Sequence, residues 1–360
     1  MSLLISILGA IFAFFIVVVV HEYGHFIVAR AFGVKVHRFA IGFGKAIFKH
    51  RAKSGVEYVI GILPLGGYVK MQDAFSEAEE AGSVGNAFES KSLFARMCVV
   101  LAGPMMNLLL AIFLFAIVFT MGVIEIKPVI SKVEAHSIAS NAHFKSGDEI
   151  IQMGNTRVHN WQHVIMFLIA HIGDDRNLPI IVLPKQSKIP VTHDINLQHW
   201  QFNPIKPDLL ASLGFTPHFP KTPPMKIRYS WYHAFTPAMH ETARWVVFNV
   251  VAMKQMLLGR ISPKAMGGPI SIFQTAGAAS LMGLTTYLQF IALISVVLGV
   301  LNLMPIPALD GGHFLFFVVE AVIRRPIPVR VQVLLINIGI IFLLSLMLYA
   351  TFNDITRLIQ

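Results

Sequence analysis

Four long apolar runs constrain this chain more than any other feature of its sequence. Each run approaches the roughly 20 residues that a helix needs to cross the hydrocarbon core of a bilayer. Charged residues make up only 13% of the chain, against about a quarter in soluble domains. The sequence therefore predicts a polytopic α-helical membrane protein with four transmembrane helices. The runs cover Leu3–Val20, Met97–Phe119, Tyr287–Leu303 and Val333–Ala350, and we assign the helices to residues 1–30, 96–120, 285–304 and 332–352.

The distribution of basic residues predicts the orientation of these helices. Lys and Arg are frequent between the first two apolar runs, and Arg324, Arg325 and Arg330 lie between the last two. Because cytoplasmic loops are enriched in such residues, both connecting loops should be cytoplasmic and both termini should lie outside. Basic residues that face the inner leaflet of the lipid bilayer then account for the net charge of +10, and no nucleic-acid partner is expected.

Residues 121–222 have the character of a soluble, strand-rich domain on the periplasmic side. Short Val/Ile-rich runs at Val129–Val133, Glu149–Met153 and Ile180–Leu183 alternate with turn residues, and a helical stretch follows Trp161. Cys98 is the only cysteine, so packing and not an internal disulfide must hold such a domain together. Prolines then predict a linker, at Pro204, Pro207, Pro217, Pro220, Pro223 and Pro224.

Three further segments complete the predicted organisation. Residues 31–95 should form a cytoplasmic, membrane-associated β region, because Gly61–Met71 mixes apolar residues with Gly and Pro in a strand-and-turn pattern. Residues 223–284 should hold a linker and an interfacial helix at Ala243–Leu258, which is short and carries a charge near each end. Residues 305–331 contain the sequence Leu-Asp-Gly-Gly ahead of the last helix.

The motif HEYGH follows the first apolar run and combines His21, Glu22 and His25. Residues four apart lie on one face of a helix, so the two imidazoles can hold one Zn²⁺ ion. Glu22 is offset around the helix, where it can take a proton from a water molecule at the metal, as in metalloproteases of the H-E-x-x-H type. Titratable side chains at the end of a membrane helix are costly and usually functional. The alternative is a solvated helix end without metal.

A catalytic zinc site needs a third protein ligand, and the sequence LNLMPIPALDGGH at Leu301–His313 offers Asp310. Pro305 and Pro307 should interrupt the helix and leave this carboxylate on unwound backbone, where it needs a polar or metal partner. The two glycines that follow permit close backbone approach. With four spans, the first and third helices both run inward, so Asp310 arrives at the depth of the HEYGH motif. A fifth span at Ala243–Leu258 would place it on the opposite side of the membrane.

Together these motifs resemble the site-2 protease family of intramembrane metalloproteases. The resemblance covers nearly the whole chain and implies an intramembrane zinc endopeptidase, with His21, His25 and Asp310 as zinc ligands and Glu22 as the catalytic base. It also implies that Asn302 lies near the site and contacts the substrate carbonyl; the alternative for this residue is a packing hydrogen bond. The motifs that carry the resemblance are HEYGH, GILPLGGYVKM (Gly61–Met71), LAGPMMN (Leu101–Asn107), GGPI (Gly267–Ile270) and LNLMPIPALDGGH.

The resemblance also suggests how substrates are bound and what they are. Gly66, Gly67 and Tyr68 belong to a β element that could hold an unwound substrate by strand pairing; the alternative is a hairpin that only packs against the helices. By resemblance, the substrates are single-span membrane proteins of the anti-sigma factor type, cleaved in regulated intramembrane proteolysis during envelope stress, and remnant signal peptides.

One departure from the family concerns the predicted periplasmic domain. Well-known members of this subgroup carry two PDZ domains, whereas residues 121–222 have room for one. Its most PDZ-like stretch has Ile138–Ala139 and His143–Phe144 where Pro-Ala and Ala-Gly pairs are usual. The domain is therefore expected to act as a size filter for substrates rather than to bind peptide termini.

Alternative readings stay open at two levels. The whole chain could be a catalytically inactive membrane scaffold of the same fold, which zinc content would distinguish from an enzyme. A transporter would be expected to show related halves, and the sequence has no evident internal repeat. At the residue level, Gly103, Pro104 and Asn107 of the second helix could provide a kink and a polar contact to the first helix, or only packing.

Overall fold

The computed structural model describes residues 2–72, 87–187, 189–198, 200–203, 208–220, 226–265 and 267–359. The chain divides into two units. The helical unit comprises Met1–Val118, Trp231–Val246 and Gly268–Gln360, and the strand-rich unit comprises Phe119–Ser230 and Val247–Gly267.

Four helices are long and apolar enough to cross a membrane, which confirms the predicted number of spans among the described residues. They extend beyond the apolar runs at most of their ends, because flanking polar residues continue the helical hydrogen bonding. Among these four helices, only α2 contains an internal proline, Pro104. The helices are α1 (Ser2–Ala31), α2 (Leu93–Met121), α8 (Leu284–Asn302) and α10 (Val329–Ile359).

Two shorter helices complete the helical unit, α7 (Pro269–Leu281) and α9 (Asp310–Ile323). Helix α7 packs along α1 through small residues: a Cβ on Gly277 would lie 2.6 Å from that of Ser6. Such small residues allow close helix approach where lipid removes the usual hydrophobic driving force. The ring of Phe14 stacks on Phe273 at 4.9 Å across the same contact, so α7 packs against the N-terminal half of the first helix.

A strand pair lies between α1 and α2 and consists of β1 (Val36–Arg51) and β2 (Glu57–Met71). The start of β1 pairs with the end of β2, with Ile41 opposite Gly67, while the end of β1 pairs with the start of β2. Gly42 adopts a φ of 80° where β1 changes partner, a conformation that glycine reaches without steric cost. The prediction of strand rather than helix for Gly61–Met71 is confirmed, since β2 runs through it as one strand without the predicted turn, although the side chains of residues 63–65 lie outside the described part.

Among the described residues, the strand-rich unit contains two antiparallel sheets. One has the strand order β5 (Thr156–Arg157), β4 (Glu149–Met153), β6 (Asn177–Leu183), β7 (Val191–Asn196), and the other pairs β3 (Ile130–Val133) with β8 (Phe215–Pro217). The predicted strand at Glu149–Met153 is β4, and the predicted helix after Trp161 is α4. Fully buried Ile150, Ile180 and Val182 lie in the core that these elements enclose. The elements are β3 (Ile130–Val133), α3 (Ile138–Asn141), β4 (Glu149–Met153), β5 (Thr156–Arg157), α4 (Trp161–Ala170), β6 (Asn177–Leu183), β7 (Val191–Asn196), α5 (Leu209–Leu213) and β8 (Phe215–Pro217).

The proline-rich linker was predicted to begin too early in the chain. Helix α5 and strand β8 lie within it, and Leu213 and Phe215 are buried in the core of the strand-rich unit. A proline can occupy an edge strand such as β8, so proline content alone misplaced this boundary. The predicted linker residues Pro204, Pro207, Pro223 and Pro224 lie outside the described residues.

The predicted interfacial helix is longer than expected. Helix α6 runs from Trp231 to Leu257 and is not among the candidate spans of the described residues. Its C-terminal part belongs to the strand-rich unit. There the buried Gln255 amide donates to the carbonyl oxygens at the end of α4, those of Ile169, Ala170 and Ile172, and so satisfies acceptors that a helix end leaves free.

Candidate metal centre

The three titratable residues of the HEYGH motif lie on α1 and are buried. His21, Glu22 and His25 are 8%, 9% and 8% exposed. Residues four apart project from one side of a helix, and the rings of His21 and His25 meet edge to face at 4.9 Å. Buried polar side chains on an apolar helix are costly unless they have polar or metal partners, so the surrounding elements must supply them.

Asp310 reaches the two histidines from a different element. It is the first residue of α9, which corrects the prediction that it lies on unwound backbone; the irregular stretch ends just before it, at Leu309. The glycines after it have the predicted role. A Cβ on Gly311 would lie 2.3 Å from the carbonyl oxygen of Met304, and one on Gly312 would lie 2.2 Å from that of Ile306. The start of α9 therefore packs directly against the preceding turn.

The ligand atoms of the three residues form a nearly equilateral triangle. His25 Nε2 lies 3.3 Å from His21 Nε2, and Asp310 Oδ2 lies 3.2 Å and 3.4 Å from these two nitrogens. A tetrahedral Zn²⁺ site with bonds of about 2.0–2.1 Å separates its ligand atoms by about 3.3 Å. Three lone pairs this close repel one another without a cation. The donor set, its spacing and its mixed N/O chemistry all fit zinc.

Asp310 gives a second indication that a cation belongs here. Its Oδ2 atom is buried and has no hydrogen-bond partner among the described residues. Burial alone would raise the pKa of Asp310, but the neighbouring imidazoles of His21 and His25 oppose this and bring the pKa to about 2. In the described part of the chain, no other group of three His, Cys, Asp or Glu residues has this arrangement.

Helix α2 holds His25 in place by one contact and one close approach. His25 Nδ1 lies 2.8 Å from the carbonyl oxygen of Val99, which can only accept a hydrogen bond, so Nδ1 donates. Gly103 leaves room for the ring, since a Cβ there would lie 2.2 Å from His25 Nε2. Sequence reasoning missed Val99 entirely, because a backbone acceptor leaves no signal in residue type. Gly103 was noticed, but only as part of a kink or packing site.

Asn107 makes the polar contact that the sequence left open. It is fully buried, and its side-chain amide lies 3.2 Å from Nδ1 of His21. Its backbone carbonyl accepts a 2.7 Å hydrogen bond from the hydroxyl of Ser295 on α8. Asn107 therefore makes polar contacts with the first helix and with the third candidate span, so its role is not limited to packing.

The structure places part of the predicted substrate-binding segment against the catalytic motif. Gly67 faces Glu22, since a Cβ on Gly67 would lie 2.8 Å from Glu22 Cγ. Gly66 adopts a φ of 114°, which strongly favours glycine. Tyr68 is 36% exposed and its hydroxyl accepts a hydrogen bond from Arg38 at 3.2 Å. A substrate-binding role for the three residues stays a prediction.

Asn302 is the last residue of α8 and is half-buried. It precedes the turn that leads to Asp310, so it belongs to the same local segment as the predicted third ligand. The structure does not bring it together with the histidines by any described hydrogen bond. Its contact with a substrate carbonyl stays a prediction.

Comparison with known proteins identifies close relatives. The profile of peptidase family M50 matches residues 9–346. The chain is 33% identical to the regulator of sigma E protease of Haemophilus influenzae, over 99% of this chain and 100% of that protein. It is 32% identical, with the same coverage, to the regulator of sigma-E protease RseP of Escherichia coli K12 and to a Vibrio cholerae protein named as a zinc metalloprotease. These alignments extend over 444 to 450 positions, against 360 residues here, so the relatives contain residues that this chain lacks.

Proposed function

The chain belongs to peptidase family M50 and is a zinc metalloprotease, and we propose that it hydrolyses peptide bonds of single-span membrane proteins within or at the edge of the bilayer. The observation that carries this proposal is the His21, His25 and Asp310 triangle, in which both histidines lie on one of four candidate membrane helices. A zinc site built on such a helix is accessible to substrates that are themselves in the membrane.

In this proposal the three ligands hold Zn²⁺ and Glu22 moves the proton. When bound there, Zn²⁺ would supply Lewis acidity towards the scissile carbonyl and the attacking water. Glu22 takes the proton of the attacking water and delivers it to the leaving amine. Its burial beside Gly67 keeps the carboxylate in one position and restricts bulk water.

Substrate positioning falls to β2 and the end of α8. A peptide bond hidden in a helix must become extended before it can be cleaved, and pairing with the Gly66–Tyr68 segment would hold it in that form. The position of Gly67 against Glu22 supports this role, because a substrate strand there would lie next to the base. Asn302 would then contact the substrate carbonyl.

The relatives named for sigma-E regulation suggest the substrate class and the location. We expect membrane-bound anti-sigma factors, and also remnant signal peptides, to be cleaved in the bacterial inner membrane as part of regulated intramembrane proteolysis. Both termini are expected in the periplasm, together with the strand-rich unit, which would act as a single PDZ-like size filter. The basic residues between the first two spans support this orientation.

The decisive experiment replaces the proposed base and follows zinc and cleavage separately. Glu22→Gln should keep its zinc, because Glu22 is not a ligand, and lose about 10²–10⁴-fold in the cleavage of a tagged single-span substrate. Glu134→Gln, at an exposed carboxylate of the strand-rich unit, is the matched control and should cleave normally. If Glu22→Gln cleaves as well as the wild type, Glu22 is not the base, and if the wild type binds no zinc, the proposed metal site is wrong.

A further inference from the structure

The orientation of the Asn107 amide determines what this buried side chain does. With its nitrogen towards His21, the oxygen Oδ1 is buried and has no hydrogen-bond partner among the described residues. The two ends of an amide have nearly the same shape, so their assignment follows from the hydrogen bonds that each can make. The needs of His21 therefore decide which end faces it.

His21 can serve as a zinc ligand in only one tautomer. Its Nε2 atom belongs to the ligand triangle and must present a lone pair to the metal. A neutral imidazole carries a single N–H, which must then be on Nδ1, the atom that lies 3.2 Å from the Asn107 amide. An amide NH₂ in this place would put two hydrogen-bond donors face to face. Oδ1 in the same place accepts a hydrogen bond from the N–H and so gains the donor that it lacks.

His25 shows the same requirement independently. Its Nδ1 lies 2.8 Å from the carbonyl oxygen of Val99, an atom that can only accept a hydrogen bond. Helix α2 thus provides one acceptor for each ligand histidine, a backbone carbonyl for His25 and a side-chain oxygen for His21. Acceptors of this kind fix the tautomer and the ring orientation of metal-binding histidines.

We propose that Asn107 is a positioning residue of the metal centre, which accepts a hydrogen bond from Nδ1 of His21 through Oδ1 and so directs Nε2 towards the metal. Ser295 holds the backbone of Asn107 through its 2.7 Å hydrogen bond to the carbonyl oxygen, and both residues are 0% exposed. This inference rests on the proposed zinc site, and it goes further by assigning a role to a residue outside the ligand set.

The test measures zinc affinity by competition with a chelator, using purified full-length protein in detergent. Asn107→Leu keeps the approximate volume but removes the acceptor, and it should weaken zinc binding about 10–100-fold. Asn107→Asp supplies an oxygen that can only accept, and it should bind zinc at least as tightly as the wild type. Thr242→Ala is the control: it removes a buried hydroxyl that donates within its own helix, to the carbonyl oxygen of Ala238, and zinc affinity should be retained.

Each alternative predicts a different result. If Asn107→Asp loses as much zinc affinity as Asn107→Leu, the amide donates to His21 and the inference is wrong. If Asn107→Leu binds zinc like the wild type, Asn107 only packs. Asn107→Ala replaces the leucine variant should the latter not fold, and it should show the same loss. His21→Ala separates the test of the metal site from the test of Asn107. If His21→Ala binds zinc like the wild type, the proposed metal site itself is wrong. If His21→Ala loses zinc while Asn107→Leu binds it normally, only the role of Asn107 is refuted.

Discussion

At the scale of single residues, two glycines control which side chains can reach the reaction centre. Gly103 on α2 leaves space for the ring of His25, a proposed ligand, and Gly67 on β2 leaves space for Glu22, the proposed base. The two groups have different tasks, since one would bind the metal and the other would move a proton. Adding a methyl group at each glycine therefore separates metal binding from catalysis.

Gly103→Ala should lose zinc, while Gly67→Ala should keep zinc and lose activity. The first Cβ would lie 2.2 Å from His25 Nε2, so we expect zinc affinity to fall by about 10–100-fold, as when a ligand loses its support. The second would lie 2.7 Å from the carbonyl oxygen of Ala40 and 2.8 Å from Glu22 Cγ. Since the side chain can move more easily than the backbone, Glu22 should shift, and a base displaced by about 1 Å costs about 10²-fold in rate. Zinc content and cleavage are measured on the same preparations.

Gly299→Ala on α8 is the control for adding a methyl group between membrane helices. Its Cβ would lie 3.1 Å from the nearest atom, the carbonyl oxygen of Pro104, a contact that a small shift can relieve. It should retain zinc and most of the activity. Equal zinc content in Gly103→Ala and the wild type would show that His25 can be displaced without harm, contrary to its assignment as a ligand.

At the scale of elements, an ion pair joins the helix that supports the histidines to the helix that begins with Asp310. Arg96 near the start of α2 donates two hydrogen bonds to Glu320 on α9, at 2.6 Å and 3.2 Å, and its guanidinium lies 5.0 Å from the ring centre of Phe317. Both charged side chains are mostly buried, with 15% and 18% exposed. The pair therefore links two elements whose relative position sets the ligand triangle.

Reversing one charge of this pair should destabilise the protein, and reversing both should restore part of the stability. Breaking a buried ion pair costs about 3–5 kcal/mol, and we expect the lower end for Arg96→Glu or Glu320→Arg because water still reaches the pair. The double variant recovers the opposite charges. Thermal unfolding in detergent measures stability, and bound zinc reports the position of α9.

An exposed pair provides the comparison for this charge reversal. Arg176 and Asp174 form an ion pair whose side chains are 80% and 27% exposed, so Arg176→Glu should cost less than about 1 kcal/mol. If Arg96→Glu is as mild as this control, or if the double variant is no better than the single ones, the link between α2 and α9 does not hold the site.

The elements show which parts of the structure can be predicted from sequence. Helices and strands were predicted where a periodic or continuous apolar pattern extends over many residues, as in the four spans and in β4. HEYGH and Asp310 were found because their residue types have few structural uses in a membrane. The partners of the histidines were not predicted, since Val99 is 74 residues from His25 and acts through its backbone. The ion pair of Arg96 and Glu320 spans 224 residues, and no local pattern encodes it.

At the scale of the whole molecule, the strand-rich unit is inserted between candidate spans and its ends are adjacent. Val123 and Ile227 exchange two backbone hydrogen bonds, of 3.0 Å and 2.9 Å. Insertion at such paired ends lets a domain be removed while the chain on either side keeps its path. The only long segment of the unit that lies outside residues 124–226 is the C-terminal part of α6 with the turn after it, Val247–Gly267.

Replacing residues 124–226 with a short Gly/Ser turn between Val123 and Ile227 should therefore leave a chain that still cleaves short substrates. If the strand-rich unit is a size filter, the shortened protein should also cleave a single-span substrate with a large folded periplasmic domain, which the intact protein should leave uncut. Cleavage of both substrates is compared in membranes for the intact and the shortened chain. Glu22→Gln in the shortened chain should abolish both cleavages, which attributes them to this active site. A large substrate that stays uncut while the short one is cleaved would mean that selection by size lies in the helical unit, because the base, the ligands and the strand pair would all still be working.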